Sequence, residues 1–187
     1  MTRIDIMANE RLLDDRHYLH EFQELWAGGP VAFVFLRQFG SAFAVRQAQS
    51  LNKYHDEITA AGAKVVFIGL GTSIQGFTFR KRADTRFLVL TTQDQTLYRT
   101  MGLWRYRAGT IAPSNLGTWV KLMREGVYPY QRTGDPYQLG GAFVATAGGR
   151  EVTWDFRAHK ASDIAPAKQI AEALAQAVAR NPIGVTP

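Results

Sequence analysis

The chain has 187 residues, 46% of them apolar, with a formal charge of +6 and no cysteine. That length buries one substantial core and leaves little room for a second full domain, while the missing cysteines exclude disulfides, thiolate nucleophiles and cysteine metal sites. The apolar stretches are short and interrupted by charge, so no membrane span is expected, and Met1–Glu10 holds no apolar run of signal-peptide length, so the expected location is cytoplasmic.

Along the chain, Asp14 to Trp26 places Leu19, Phe22, Leu25 and Trp26 at helical spacing, and Gly28-Gly29-Pro30 ends the pattern, so a helix is predicted there. His17 and His20 would share one face of it at i, i+3, but no third ligand accompanies them and no metal is expected. Val31-Ala-Phe-Val-Phe-Leu36 is an almost continuous apolar run, which predicts a central strand covered on both faces. Ser41 then caps a long helical segment carrying Ala44, Ala48, Leu51 and Ile58, closed by Ala61-Gly62. Lys64-Val-Val-Phe-Ile-Gly69 reads as a second buried strand, Thr72-Ser73 as the cap of a helix running to about Ala83, and Phe87-Leu-Val-Leu90 as a third strand.

Gln93 to Met101 predicts a short helix. Gly102 to Pro136 then mixes aromatics, arginines and loop formers around one helical piece at Asn115 to Arg124, an excursion from the core. Nearly all of the net positive charge sits around it: Arg99 to Arg132 holds six basic residues against Glu125 alone, a net +5 that favours acidic partners. A hairpin follows, with Ala142–Ala145 and Glu151–Phe156 flanking the turn dipeptide Gly148-Gly149. The last helix spans Ser162 to Arg180 through Ile164, Ile170, Leu174 and Val178, with Pro166 near its start and Asn181-Pro182 at its end. Strand–helix units followed by an antiparallel hairpin and a terminal helix predict an α/β fold, a mixed central sheet with helices on both faces, in one domain over 1–187. That order is the thioredoxin-like one.

At Val34-Phe-Leu-Arg-Gln-Phe-Gly-Ser-Ala-Phe-Ala44 the chain resembles the peroxiredoxin-like 2 branch of the alkyl hydroperoxide reductase and thiol-specific antioxidant (AhpC/TSA) superfamily. In that branch an apolar strand runs into Arg-His-Phe-Gly-Cys-x-x-Cys. Ala60–Gly69, Leu97–Leu103, Gln138–Val144, Gly148–Arg150 and Asp155–Arg157 agree with it in order and spacing, so the resemblance covers residues 30 to 178. It implies a peroxiredoxin-like fold in which Ser41 and Ala44 take the positions of the two family cysteines and Gln38 that of the family histidine.

A thiol at a strand-to-helix junction is acidified by backbone N–H groups and the helix dipole. A hydroxyl in its place forms neither the sulfenic acid nor the mixed disulfide of peroxide or disulfide reduction, so thiol redox chemistry is closed to this chain. Ser41 as a nucleophile would need a base, and the sequence sets none at a fixed offset from it. What the resemblance leaves is a cleft where the helix start from Ser41 to Phe43, Arg37 with Gln38 beside it, and the Gly140-Gly141 loop converge. Arg46 and Arg157 are further candidates. Such donors suit a small acidic or aromatic ligand, with no cofactor.

The aromatics of the excursion, Trp104, Tyr106, Trp119, Tyr128 and Tyr130, read as a lid over that cleft, as packing on the core, or as the face of a homodimer. Nucleic acid would need an open groove that this fold does not offer. Two other readings stay open at this point: an engineered thiol oxidoreductase silenced by Cys→Ser at 41 and Cys→Ala at 44, and a protein-interaction module acting through the excursion.

Overall fold

A computed structural model describes residues 7–107, 113, 115–130 and 133–180. In chain order the elements are β1 (Arg11–Asp14), β2 (Leu19–Glu21), α1 (Phe22–Ala27), β3 (Val31–Leu36), α2 (Ala42–Asn52), α3 (His55–Ala60), β4 (Lys64–Leu70), α4 (Ser73–Ala83), β5 (Leu88–Thr92), α5 (Thr96–Thr100), α6 (Asn115–Arg124), β6 (Gly141–Ala145), β7 (Val152–Arg157) and α7 (Ala167–Arg180). The strands form one mixed sheet in the order β2-β1-β5-β4-β3-β6-β7. β3, β4 and β5 run parallel, and antiparallel strands β1 and β6 extend the sheet on either side. All six residues of β3 are buried, as its unbroken apolar run requires of a strand with helices on both faces.

Strand alternation sends Val34, Leu36, Phe67 and Val144 to one face, under α2, α4 and α7, and sends Phe33, Phe35, Ile68 and Phe143 to the other, under α1 and α5. On the second face Phe22 stacks on Phe33 at 4.5 Å and Tyr98 meets Phe35 edge-on at 5.1 Å. The thioredoxin-like arrangement expected from the sequence is the one observed.

The helix expected over Asp14 to Trp26 is replaced by a β-hairpin and a six-residue helix. The reason lies in Asp14, whose carboxylate accepts the backbone N–H groups of Arg16 and Tyr18, each at 2.8 Å, and so closes a tight turn in which His17 takes φ 69°. This local bond offers the backbone an alternative to the helix. His17 and His20 therefore share no helix face, and His20 Nε2 lies 3.2 Å from Asp14 Oδ2.

The long helical segment after Ser41 is two helices, broken at Lys53-Tyr54. There the Asn52 amide turns away to donate to the carbonyls of Ala83 and Asp84 at the end of α4. The last helix starts at Ala167, after Pro166, five residues later than expected. Asn181-Pro182, expected as its end, lies outside the described residues. α4 carries the predicted Thr72 cap, completed by Gln75 into a capping box, and α6 has the predicted bounds.

Candidate functional site

β3 delivers the chain to the loop Arg37–Gly40, and Ser41 starts α2. Ser41 sits in extended backbone (φ −77°, ψ 135°) and its Oγ accepts the N–H of Phe43 at 3.3 Å, the geometry of an N-cap. Both Ser41 and Ala44 are buried. The cap is the one hydrogen bond of the Ser41 side chain among the described residues, and neither histidine nor carboxylate reaches it. Nothing there would take a proton from the hydroxyl.

The excursion folds back over this junction. Thr133 Oγ1 accepts from Phe39 N at 2.9 Å, Tyr130 N donates to the carbonyl of Gly40 at 3.1 Å, and the Tyr130 hydroxyl donates to that of Phe39 at 3.0 Å. Trp119 of α6 meets Phe43 of α2 edge-on at 5.4 Å. Of the readings offered for these aromatics, Trp119 and Tyr130 pack on the core, and Trp104, Tyr106 and Tyr128 remain exposed.

A cavity of about 30 Å³ opens beside the start of α2. Five of the expected residues line it: Arg37, Phe43, Ala44, Gly140 and Gly141. Gly140 is glycine because a Cβ there would overlap the carbonyl oxygen of Phe35, and at Gly141 it would lie 2.5 Å from the Leu103 side chain and 2.6 Å from the Phe156 carbonyl oxygen. Both positions are dictated by close packing, which brings the β6 backbone up against the end of β3.

Arg37 is the electrostatic feature of this cavity. Its Nη1 donates to the carbonyl of Pro136 at 2.8 Å, its Nε is buried without a partner, and no carboxylate pairs with it among the described residues. Partial burial lowers its pKa from the ordinary arginine value, as expected of a half-buried cation with no counter-charge beside it among the described residues. The neighbouring Gln38 is also buried with its amide nitrogen unpartnered, although it does not line the cavity.

The remaining candidates fall elsewhere. Arg46 lies one residue short of the cavity-lining Gln47 on α2 and pairs instead with Glu125 at 3.3 Å. Arg157 follows Phe156 on β7; Phe156 lines the cavity, so alternation turns Arg157 to the opposite face, over the Phe143 ring at 5.0 Å and bonded to the carbonyl of Met101 and to Asp155. Lys160 and Asp163 line the cavity instead, from the loop after β7. The sequence pattern placed Asp163 inside the terminal helix, begun at Ser162, and gave no local signal for Lys160, which precedes it. Asp163 holds that loop by accepting the N–H groups of His159 and Lys160 at 3.0 and 3.1 Å, and an Asp whose carboxylate reaches back to N–H groups three and four residues before it is the turn signal that would have pointed there.

The sheet order, the helices on both faces and the capped junction after β3 define a thioredoxin-like protein. Residues 50–160 match the family model of the AhpC/TSA antioxidant enzymes, and the chain belongs to that family. It is a cysteine-free member. The match begins after Ser41 and Ala44, so their assignment to the cysteine positions rests on the local motif. The chain is 28% identical to a prostamide/prostaglandin F synthase of Salmo salar and 30% identical to one of Aquarana catesbeiana, each over 82% of this chain and 78% of the relative. Among solved structures it resembles peroxidoxin BcpB of Mycobacterium tuberculosis (15% identity, TM-score 0.64, 90% of this chain and 91% of that one). It also resembles the bacterioferritin comigratory protein of Xanthomonas campestris (15% identity, TM-score 0.67, 92% and 95%). At such identities the structural likeness is one of fold.

Proposed function

We propose that this protein is a binding member of its family, taking the acidic group of a small molecule in the cavity where its relatives' motif carries cysteines. The observation that carries the reading is the Arg37 guanidinium: it lines the cavity, it has an unpartnered buried Nε, and it lacks a carboxylate partner among the described residues. A guanidinium so placed is stabilised by a carboxylate that presents its oxygens in the plane of the fork. The first turn of α2 and the nearby Lys160 add positive potential, offset in part by Asp163.

The size of the cavity limits what enters. About 30 Å³ holds an acid group or one or two waters, far less than the few hundred Å³ that enclose a whole drug-sized ligand. The body of the ligand would lie outside. The relatives are named for making prostamide and prostaglandin F; thiol chemistry toward any such product is closed to a chain without cysteine, and binding is the part of that role we carry across.

Calorimetric titration with acetate and with longer carboxylates tests the reading. Binding that weakens about tenfold or more in Arg37→Met, as loss of a charge-assisted pair implies, and that is partly kept in Arg37→Lys, is the expected result. Equal binding by wild type and Arg37→Met, or no binding by either, overturns it.

A further inference from the structure

A second site stands apart from that cavity and shares no lining residue with it. Trp104 is 63% exposed, yet its backbone is pinned: its carbonyl accepts from Leu139 N at 3.0 Å and from the Gln138 amide at 3.2 Å. Arg105 forms a bridge with Gln138, and Tyr106 N donates to the carbonyl of Tyr137 at 2.9 Å. The indole is thus held in solvent by an ordered ladder, next to buried Leu103.

Beside it opens a cleft of about 440 Å³, bordered by Gln95, Arg99, Leu103, Trp104, Arg105 and Gln138. This volume lies in the range of small-molecule sites. Two guanidinium groups and no carboxylate line it. Among the described residues the Arg99 side chain bonds only to the Thr96 hydroxyl, at 3.3 Å. The partner of Arg105, Asp135, stands outside the lining and also accepts from Gln95 Nε2 and Tyr137 N. An electron-rich indole face would suit a cation in a neutral setting; with Arg105 paired to Asp135, the uncompensated charge of the lining is that of Arg99, and it selects an anion instead.

We infer that this cleft binds a planar aromatic anion, its ring stacked on Trp104 and its acid group at Arg99. Stacking on an exposed aromatic needs only a π-face, and the guanidinium supplies the charge-assisted bond that a neutral ring would lack.

The test is calorimetry of the full chain with 2-naphthoate, carried out in the Arg37→Met background so that the cavity at α2 does not contribute. 2-Naphthoate is expected to bind at a single site, and cyclohexanecarboxylate, lacking a π-face, much more weakly. Trp104→Ala should weaken 2-naphthoate about tenfold, with Trp104→Phe recovering most of it. Arg99→Gln should weaken 2-naphthoate about tenfold while leaving 2-naphthol unaffected. Three results overturn the inference: no binding of 2-naphthoate, binding that neither Trp104→Ala nor Arg99→Gln alters, or a dimer in sedimentation that Trp104→Ala dissociates, which would assign the indole to a second copy. Loss of carboxylate binding in Arg37→Met alone bears on the α2 cavity and leaves this site untouched.

Discussion

Ser41 does structural work that needs only an oxygen. Its Oγ caps α2 at Phe43 N, so the residue that the local motif would assign to the first cysteine position holds the helix start together. Replacing it by alanine is expected to cost about 1 kcal/mol of stability, read as a lower urea midpoint with an unchanged slope, and to leave carboxylate binding at Arg37 intact. Arg37, one turn of chain earlier, is the opposite kind of residue. It costs stability, because its half-buried guanidinium has only a carbonyl partner and an unpartnered, buried Nε, and that Nε is where a ligand has the most to offer.

At the scale of elements, the turns decide what the strands and helices cannot. Gly148 and Gly149 take φ 75° and 64° in the β6–β7 connection, and a Cβ on Gly149 would lie 2.5 Å from the Trp26 ring. Gly149→Ala is expected to cost about 2 kcal/mol or more, combining left-handed strain with displacement of a packed ring, and thermal unfolding would show it. The same logic explains what was legible in the sequence. β3 could be read from six successive apolar residues, α4 from its Thr72 cap and the hairpin from Gly148-Gly149, because each signal is local. The region from Asp14 to Trp26 could not, since Leu19, Phe22, Leu25 and Trp26 fit a helical period while one Asp14 carboxylate, bonding two N–H groups, set a turn. In the site, Arg37, Phe43, Ala44 and the two glycines were legible through the motif. Arg157 was misplaced because a one-residue step on β7 changes its face, and Lys160 and Asp163 belong to a loop whose path depends on tertiary packing.

Across the whole molecule, two buried faces share one sheet, and carboxylates tie its margins. At Asp14 burial raises the pKa, but the N–H groups of Tyr18 and Arg16 and the His20 ring outweigh it and hold the carboxyl below its ordinary 3.8. Asp135 is held low in the same way, by Tyr137 N, Arg105 and Gln95 against burial. A depressed folded-state pKa gives stability that is present above the unfolded value and lost as pH falls through the folded one. The protein should therefore lose stability as pH drops below about 4, and Asp14→Asn should be less stable at neutral pH with a shallower acid loss, which urea midpoints across pH would register. On the function proposed above, a thioredoxin-like chain without thiols takes an acid group at the junction after β3. The most direct measurement is a crystal structure of the protein soaked in acetate. A carboxylate oxygen is expected within hydrogen-bond distance of Arg37 Nε in the cavity lined by Phe43, Ala44 and Gly140; acetate found only elsewhere, with Arg37 Nε facing water or protein alone, would contradict the proposed function.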